Sequence, residues 1–201
     1  LKHLRIKASF IFTICLIVLL TGCKEAEEHV ETWKTAEIDE MEIVANGNNI
    51  EFSPTDMEEI TVRMKSSSEL PYILDGTVLR VHAEDSSNFI NFKTNTIQID
   101  VPTTLFKKIS LKTTSGNIIG QNLLAEEILI HTDSGNIDLE LDPTLSVQLD
   151  VVNETGKINT SLVAKEEIKQ TGSGHELSGT FGDGDDSLMK VQSVSGSITI
   201  E

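Results

Sequence analysis

From residue 38 onward, apolar and polar residues alternate in short runs. Met41-x-Ile43, Ile50-x-Phe52, Ile60-x-Val62-x-Met64, Leu79-x-Val81 and Ile97-x-Ile99-x-Val101 occupy the first half. Ile109-x-Leu111, Ile128-x-Ile130, Leu149-x-Val151 and Met189-x-Val191 continue the pattern in the second. A period of two predicts strands with one buried face. Gly47-Asn48-Asn49 and Asp75-Gly76 mark turns, and Pro54, Pro71 and Pro102 sit at the edges of runs, where a missing N–H is tolerated. No segment in this region carries a long helical period, so the expected class is all-β.

The second half also repeats. Thr113-Thr114-Ser115-Gly116-Asn117-Ile118 returns as Thr132-Asp133-Ser134-Gly135-Asn136-Ile137, then as Asn153-Glu154-Thr155-Gly156-Lys157-Ile158, and finally as Ser193-Val194-Ser195-Gly196-Ser197-Ile198. A looser copy, Thr171-Gly172-Ser173-Gly174-His175-Glu176-Leu177, is displaced by one residue and suggests a local bulge. The steps between Gly116, Gly135, Gly156, Gly174 and Gly196 are 19, 21, 18 and 22 residues. Alternation on both sides of each glycine predicts two short strands meeting at a bend, where glycine permits positive φ or close stacking of backbones. A period near 20 residues points to a single-stranded β-solenoid, each coil hydrogen-bonded to the one before it. Isoleucines would pile inside it, while Ser115, Ser134, Thr155 and Ser195 would form a ladder along one corner. A β-sandwich is the alternative. Few hairpin dipeptides separate the strands, and a sandwich has no need of one tetrad recurring in one phase.

These residues carry a resemblance. Ile97-Gln98-Ile99-Asp100-Val101-Pro102, then Leu111 through Ile118, then Ser-Gly-x-Ile units to the end, with Asp75-Gly76-Thr77-Val78-Leu79 before them, resemble the bacterial toast-rack, or adhesin-type, β-solenoid family. The resemblance spans roughly residues 40–201. It implies an extracytoplasmic, noncatalytic domain of a kind found on membrane-anchored proteins linked to envelope stress, with no catalytic residues assigned.

The start of the chain is of another kind. Lys2, Arg5 and Lys7 precede an apolar run, Ala8 to Leu19, and Leu20-Thr21-Gly22-Cys23 closes it as a lipobox. Residues 1–22 are expected to be a lipoprotein signal peptide cleaved after Gly22, leaving Cys23 with a thioether-linked diacylglycerol. The run is too short to read as a membrane span, which needs about 20 apolar residues. Two acyl chains hold a protein stably where one holds it marginally. Cys15 would leave with the signal, so no disulfide is expected. Residues 23–37 are acidic and unpatterned and read as a tether, with Trp33 resting at the lipid interface or covering the first strands. Residues 38–201 form the β domain, its repeats clearest in 109–201.

Charge narrows the partners. The first 22 residues hold three basic and no acidic side chains, so the remaining 179 carry 13 Lys and Arg against 32 Asp and Glu, a net −19. That argues against nucleic acid, whose phosphates need basic patches. It fits a soluble extracellular surface, or attraction to a cationic peptide or an envelope protein. Candidate chemistry is sparse. Asp183, Asp185 and Asp186 in a Gly-Asp-Gly-Asp-Asp segment could hold Ca²⁺, but the EF-hand spacing is missing and a turn explains them equally. His131 and His175 have no partner at ligand spacing. No nucleophile elbow occurs. The expectation is a membrane-tethered binding, sensing or scaffold module, without enzyme activity, metal or cofactor. The alternatives are a β-helix enzyme acting on envelope polysaccharide and a Ca²⁺-stabilised adhesin.

Overall fold

A computed structural model describes residues 27–66, 70–83, 95–142, 144–162, 169–182 and 187–201. The chain begins with β1 (Glu27–Lys34) and a short 3₁₀ turn at Thr35–Glu37, then makes β2 (Glu40–Ala45), β3 (Asn49–Thr55), β4 (Glu59–Ser66), β5 (Tyr72–Asp75), β6 (Val78–Ala83) and β7 (Thr96–Pro102). The repeat region follows as β8 (Phe106–Thr113), β9 (Ile118–Gln121), β10 (Ala125–Thr132), β11 (Ile137–Glu140), β12 (Val147–Asn153) and β13 (Ile158–Thr160). β14 (Lys169–Thr171), β15 (Gly174–Phe181), β16 (Ser187–Ser193) and β17 (Ile198–Ile200) complete it. The class is all-β.

Two sheets share these strands. One runs β1-β4-β7-β3-β9-β11-β17-β13, the other β14-β15-β12-β16-β10-β8-β2-β6-β5. Six windings cross between them: β2–β3, β6–β7, β8–β9, β10–β11, β12–β13 and β16–β17. Neighbouring windings pair in parallel in both sheets. The solenoid expectation needs correction on two points. The sheets are mixed, because β1, β4, β5, β14 and β15 pair antiparallel at the two ends. The windings are also not stacked in chain order. β2–β3 lies between β6–β7 and β8–β9, and β16–β17 lies between β10–β11 and β12–β13. Each winding offers the same N–H, C=O and isoleucine pattern to both neighbours, so the spacing of repeats is silent about the order of stacking.

A second correction concerns residues 23–37. Glu27–Lys34, expected within the tether, is a full strand paired residue for residue with β4, from Glu27 opposite Ser66 to Lys34 opposite Glu59. A third concerns the displaced repeat copy. It is not a bulged winding. Thr171 pairs with Gly174 across a two-residue turn in which Gly172 has φ +62°, a hairpin geometry that favours glycine.

The core is the space between the two sheets. One column in the first sheet consists of Ile97, Ile50, Ile118, Ile137, Ile198 and Ile158 in stacking order, all buried. Opposite it in the second sheet run Leu79-Met41-Ile109-Ile128-Met189-Leu149 and Val81-Ile43-Leu111-Ile130-Val191-Val151. Burial of each such side chain contributes about 1.5–3 kcal/mol. In four of these windings the column isoleucine stands two places after a glycine; Asn48 and Asn95 take the glycine's place before Ile50 and Ile97.

The bends themselves stack. A Cβ on Gly135 would collide with the carbonyl of Gly116, one on Gly196 with the carbonyl of Gly135, and one on Gly156 with the carbonyl of Gly196. Close backbone approach, rather than turn geometry, is what excludes a side chain here; only Gly196 of this series has positive φ.

Candidate binding surfaces

Polar ladders run along the glycine corner, from one winding to the next. Inside it, the Thr113 hydroxyl accepts the N–H of Gly116 at 3.1 Å and donates to the carbonyl of Asn48 at 3.1 Å. Thr132 repeats this with Gly135 and Gly116, and Asn153 does so with Gly156 and Gly196. Outside it, the side-chain carbonyls of Asn49, Asn117 and Asn136 accept the backbone N–H of Asn117, Asn136 and Ser197. Ser134, Ser195 and Thr155 hydroxyls donate to carbonyls of the winding next to them. The corner residues are therefore spent on holding windings together. The sequence-nominated glycines divide accordingly. Gly116, Gly135, Gly196 and Gly156 share one stack, whereas Gly174 opens β15 and packs on the carbonyls of Asn153 and Glu154.

Several charged side chains on the outer faces are paired between strands or between a strand and a neighbouring turn. Arg80 of β6 donates to Glu42 of β2 and to Asp75 of β5, each at 3.1 Å. Lys108 meets Glu127 at 2.7 Å, Lys107 meets Asp39 at 2.8 Å, and Arg63 pairs with Asp100. The hydrogen bond from Lys107, with a second from Thr77, holds the Asp39 carboxyl below the usual carboxylate range, and Asp39 raises Lys107 in turn. Asp75 and Glu42 raise Arg80, and Asp142 is lowered by the Thr144 hydroxyl and N–H. Each shift has a structural ion pair or turn as its cause. His131 Nε2 lies 2.8 Å from Asp133, and His175 Nδ1 lies 2.8 Å from the carbonyl of Gly156. Among the described residues no three His, Cys, Asp or Glu side chains converge as metal ligands. Cys23, Asp183, Asp185 and Asp186 lie outside the described residues. No helix among the described residues is long and apolar enough to cross a membrane.

Two surface features remain that the fold does not consume. The first is an open groove of ≈ 640 Å³ at the edge opposite the glycine corner, where Lys34–Ala36, the β3–β4 turn and the turn after β7 meet. Asp56, Glu58, Glu59 and Lys34 line it together with Thr103 and Thr104. Thr35 closes its floor by donating its hydroxyl to the carbonyl of Glu58 at 2.8 Å. Three carboxylates against one ammonium give it a net negative charge, while Ala36, Met57 and Pro102 add apolar lining. The second is the end of the stack where β1 and β5 are the outermost strands. All four residues of β5 are exposed, Ile73 at 60%. Trp33 of β1 is buried beneath, edge-on to Tyr72 with ring centroids 5.0 Å apart. Neither surface was foreseen. Tyr72-Ile73-Leu74, three apolar residues in a row outside the alternating pattern, was the available signal for the second.

Comparison with known proteins is consistent with this build. Residues 38–200 match a family model described as Toastrack DUF4097. A "putative cell adhesion protein" from Clostridium sporogenes shares the fold at TM-score 0.53 and 13% identity, over 88% of this chain and 99% of that one. A "putative adhesin" from Bacteroides fragilis aligns at TM-score 0.38 and 14% identity, over 90% of this chain and 100% of the other. No match emerged among curated proteins.

Proposed function

Because the chain belongs to the Toastrack DUF4097 family, we propose that it is a noncatalytic binding module of the cell envelope, held outside the cytoplasmic membrane by the lipid on Cys23. We read its six parallel windings as a β-solenoid stacked out of chain order, a rigid body suited to presenting a surface rather than closing on a substrate.

The observation that carries this reading is the acidic groove formed by Lys34, Asp56, Glu58 and Glu59. It is open and rimmed by hydroxyls, and the shifted carboxyls and cations among the described residues lie elsewhere, tied up in ion pairs or a turn. A cleft with that balance suits a cationic segment of an envelope protein, bound by charge-assisted hydrogen bonds. The name of the structural neighbour from Clostridium sporogenes, a "putative cell adhesion protein", points the same way, and the net −19 of residues 23–201 strengthens attraction at distance.

The test is capture from intact membranes on the immobilised mature protein, with and without Asp56→Lys and Glu59→Lys in the groove. A partner that is retained by the native protein and lost from the double variant supports the reading. Recovery of no partner, together with turnover of envelope glycans by the purified protein, replaces it with a β-helix enzyme.

A further inference from the structure

The anchor and the fold are closer together than the sequence suggested. Since Glu27 already opens β1, only residues 24–26 separate the sheet from Cys23. Four residue steps span at most about 14 Å. This leash leaves from β1, the terminal strand of its sheet. The same end carries four of the seven large apolar side chains that are exposed among the described residues. Val30 belongs to β1, and Tyr72, Ile73 and Leu74 belong to β5, the outermost strand of the other sheet. The contact of Trp33 with Tyr72 joins the two strands into one surface.

We propose that this β1–β5 end rests on the lipid surface, so that the stack of windings stands on the membrane with β13 and the β14–β15 hairpin outermost. The proposal deepens the lipid-anchoring reading above and rests on it. A tyrosine beside two aliphatic side chains suits the boundary between headgroups and acyl chains, where an aromatic ring can bury its body and keep its hydroxyl wet. Apolar area buried there adds to the hold of the acyl chains. Glu27, Glu28 and Glu31 of β1 border the contact, so the surface that fits is zwitterionic lipid rather than a strongly anionic one. Nine strands spaced about 4.8 Å apart place the far hairpin about 38 Å above the near edge. The acidic groove takes Lys34 from β1 and Glu59 from the adjacent β4, so it lies at this same end of the stack, beside the proposed contact.

The experiment uses the full chain, processed and acylated in its host and reconstituted in phosphatidylcholine vesicles that carry an energy-transfer acceptor on the headgroup. The mass of the mature chain reports the lipid on Cys23 directly. A donor dye is placed on Ile73→Cys or, at the far hairpin, on Ser173→Cys; Val30→Cys repeats the near position should Ile73→Cys fail to fold. Transfer several-fold stronger from the near position than from Ser173→Cys supports the orientation, and a Gly/Ser insertion of about 20 residues between Ala26 and Glu27 should reduce the difference. Equal or reversed transfer in a chain whose mass shows the lipid overturns the orientation and leaves the anchoring intact. A mature chain without lipid on Cys23 overturns both.

Discussion

Thr132 and Gly135 are joined by a hydrogen bond that holds one corner and, through it, two windings: the Gly135 N–H donates to the Thr132 hydroxyl at 3.0 Å, and that hydroxyl donates to the carbonyl of Gly116 at 3.3 Å. Thr132→Val keeps the shape and removes both bonds, leaving a buried N–H unpaired. Urea unfolding should show a loss of about 1–3 kcal/mol. Ser193 occupies the same column one winding further on, yet its buried hydroxyl has no partner among the described residues. Ser193→Ala should therefore cost no more than about 0.5 kcal/mol. Equal losses at the two positions would remove the ladder as an explanation of corner stability.

Gly135→Ala drives a methyl group into the carbonyl of Gly116. The two windings must then separate or the corner must rebuild, and a loss of about 4 kcal/mol or failure to fold is expected. Gly76→Ala is the control. It has positive φ but open space around it, so the loss should be nearer about 1 kcal/mol. Thermal melts of both variants separate packing from backbone conformation.

The isoleucine column and the outer face of the same strands should respond differently. Ile137→Ala empties a fully buried site between Ile118 and Ile198 and should cost about 2–5 kcal/mol. Ile119→Ala, at a position 41% exposed, should change stability by about 0.5 kcal/mol or less. Denaturant midpoints with unchanged slopes would show that both act on the native state.

The Asp39–Lys107 pair gives stability a pH dependence of known sign. The Asp39 carboxyl is held below its ordinary value in the fold, so its stabilisation is present above the unfolded value and is lost as pH falls through the folded one. Lys107 is raised, so its share is present below its ordinary value and is lost only as pH rises through the higher folded one. Asp39→Asn should lower the denaturant midpoint at neutral pH, and the gap from the native protein should close in acid. A gap that persists unchanged under both conditions would show that the pair contributes nothing through ionisation.

The groove should bind cations through charge. Replacing Asp56 and Glu59 by their amides is expected to weaken a captured basic peptide several-fold and to flatten the dependence of binding on salt. Titration calorimetry at low and moderate ionic strength measures both effects.

Most of the interior could be read from the chain before any coordinates. Every column residue in the core lies in an alternating run, because a strand with one wet face must alternate. The isoleucine after each glycine had to face inward for the same reason. What escaped notice has equally physical causes. β1 hides because its polarity runs against its burial: His29 and Glu31 share the sheltered face with Trp33 while Val30 points out. Charged residues facing inward on an edge strand discourage pairing with other chains, and they also erase the hydrophobic signal. The copy at Gly174 mimicked a winding corner because Gly172 serves the hairpin turn while Gly174 approaches the carbonyls of Asn153 and Glu154 as closely as the bend glycines approach theirs. The groove is assembled from three turns far apart in sequence, each unremarkable alone. The run Leu20-Thr21-Gly22-Cys23, expected to be a lipobox, was the plainest motif in the chain, and its separation in sequence from β1 acquires meaning only once Glu27 is known to begin a strand.

The slot filled by β16–β17 has a consequence for how the protein is made. Those residues follow β10–β13 in the chain, yet they separate the two layers that β10–β11 and β12–β13 form. Until they arrive, β11 and β13 lack the neighbour that both require, and the molecule can be completed only from the middle. A chain truncated before Ser187 would be deprived of an inner layer rather than trimmed at one end. Two open edges would then face a gap, a state that exposes unpaired backbone to proteolysis and aggregation.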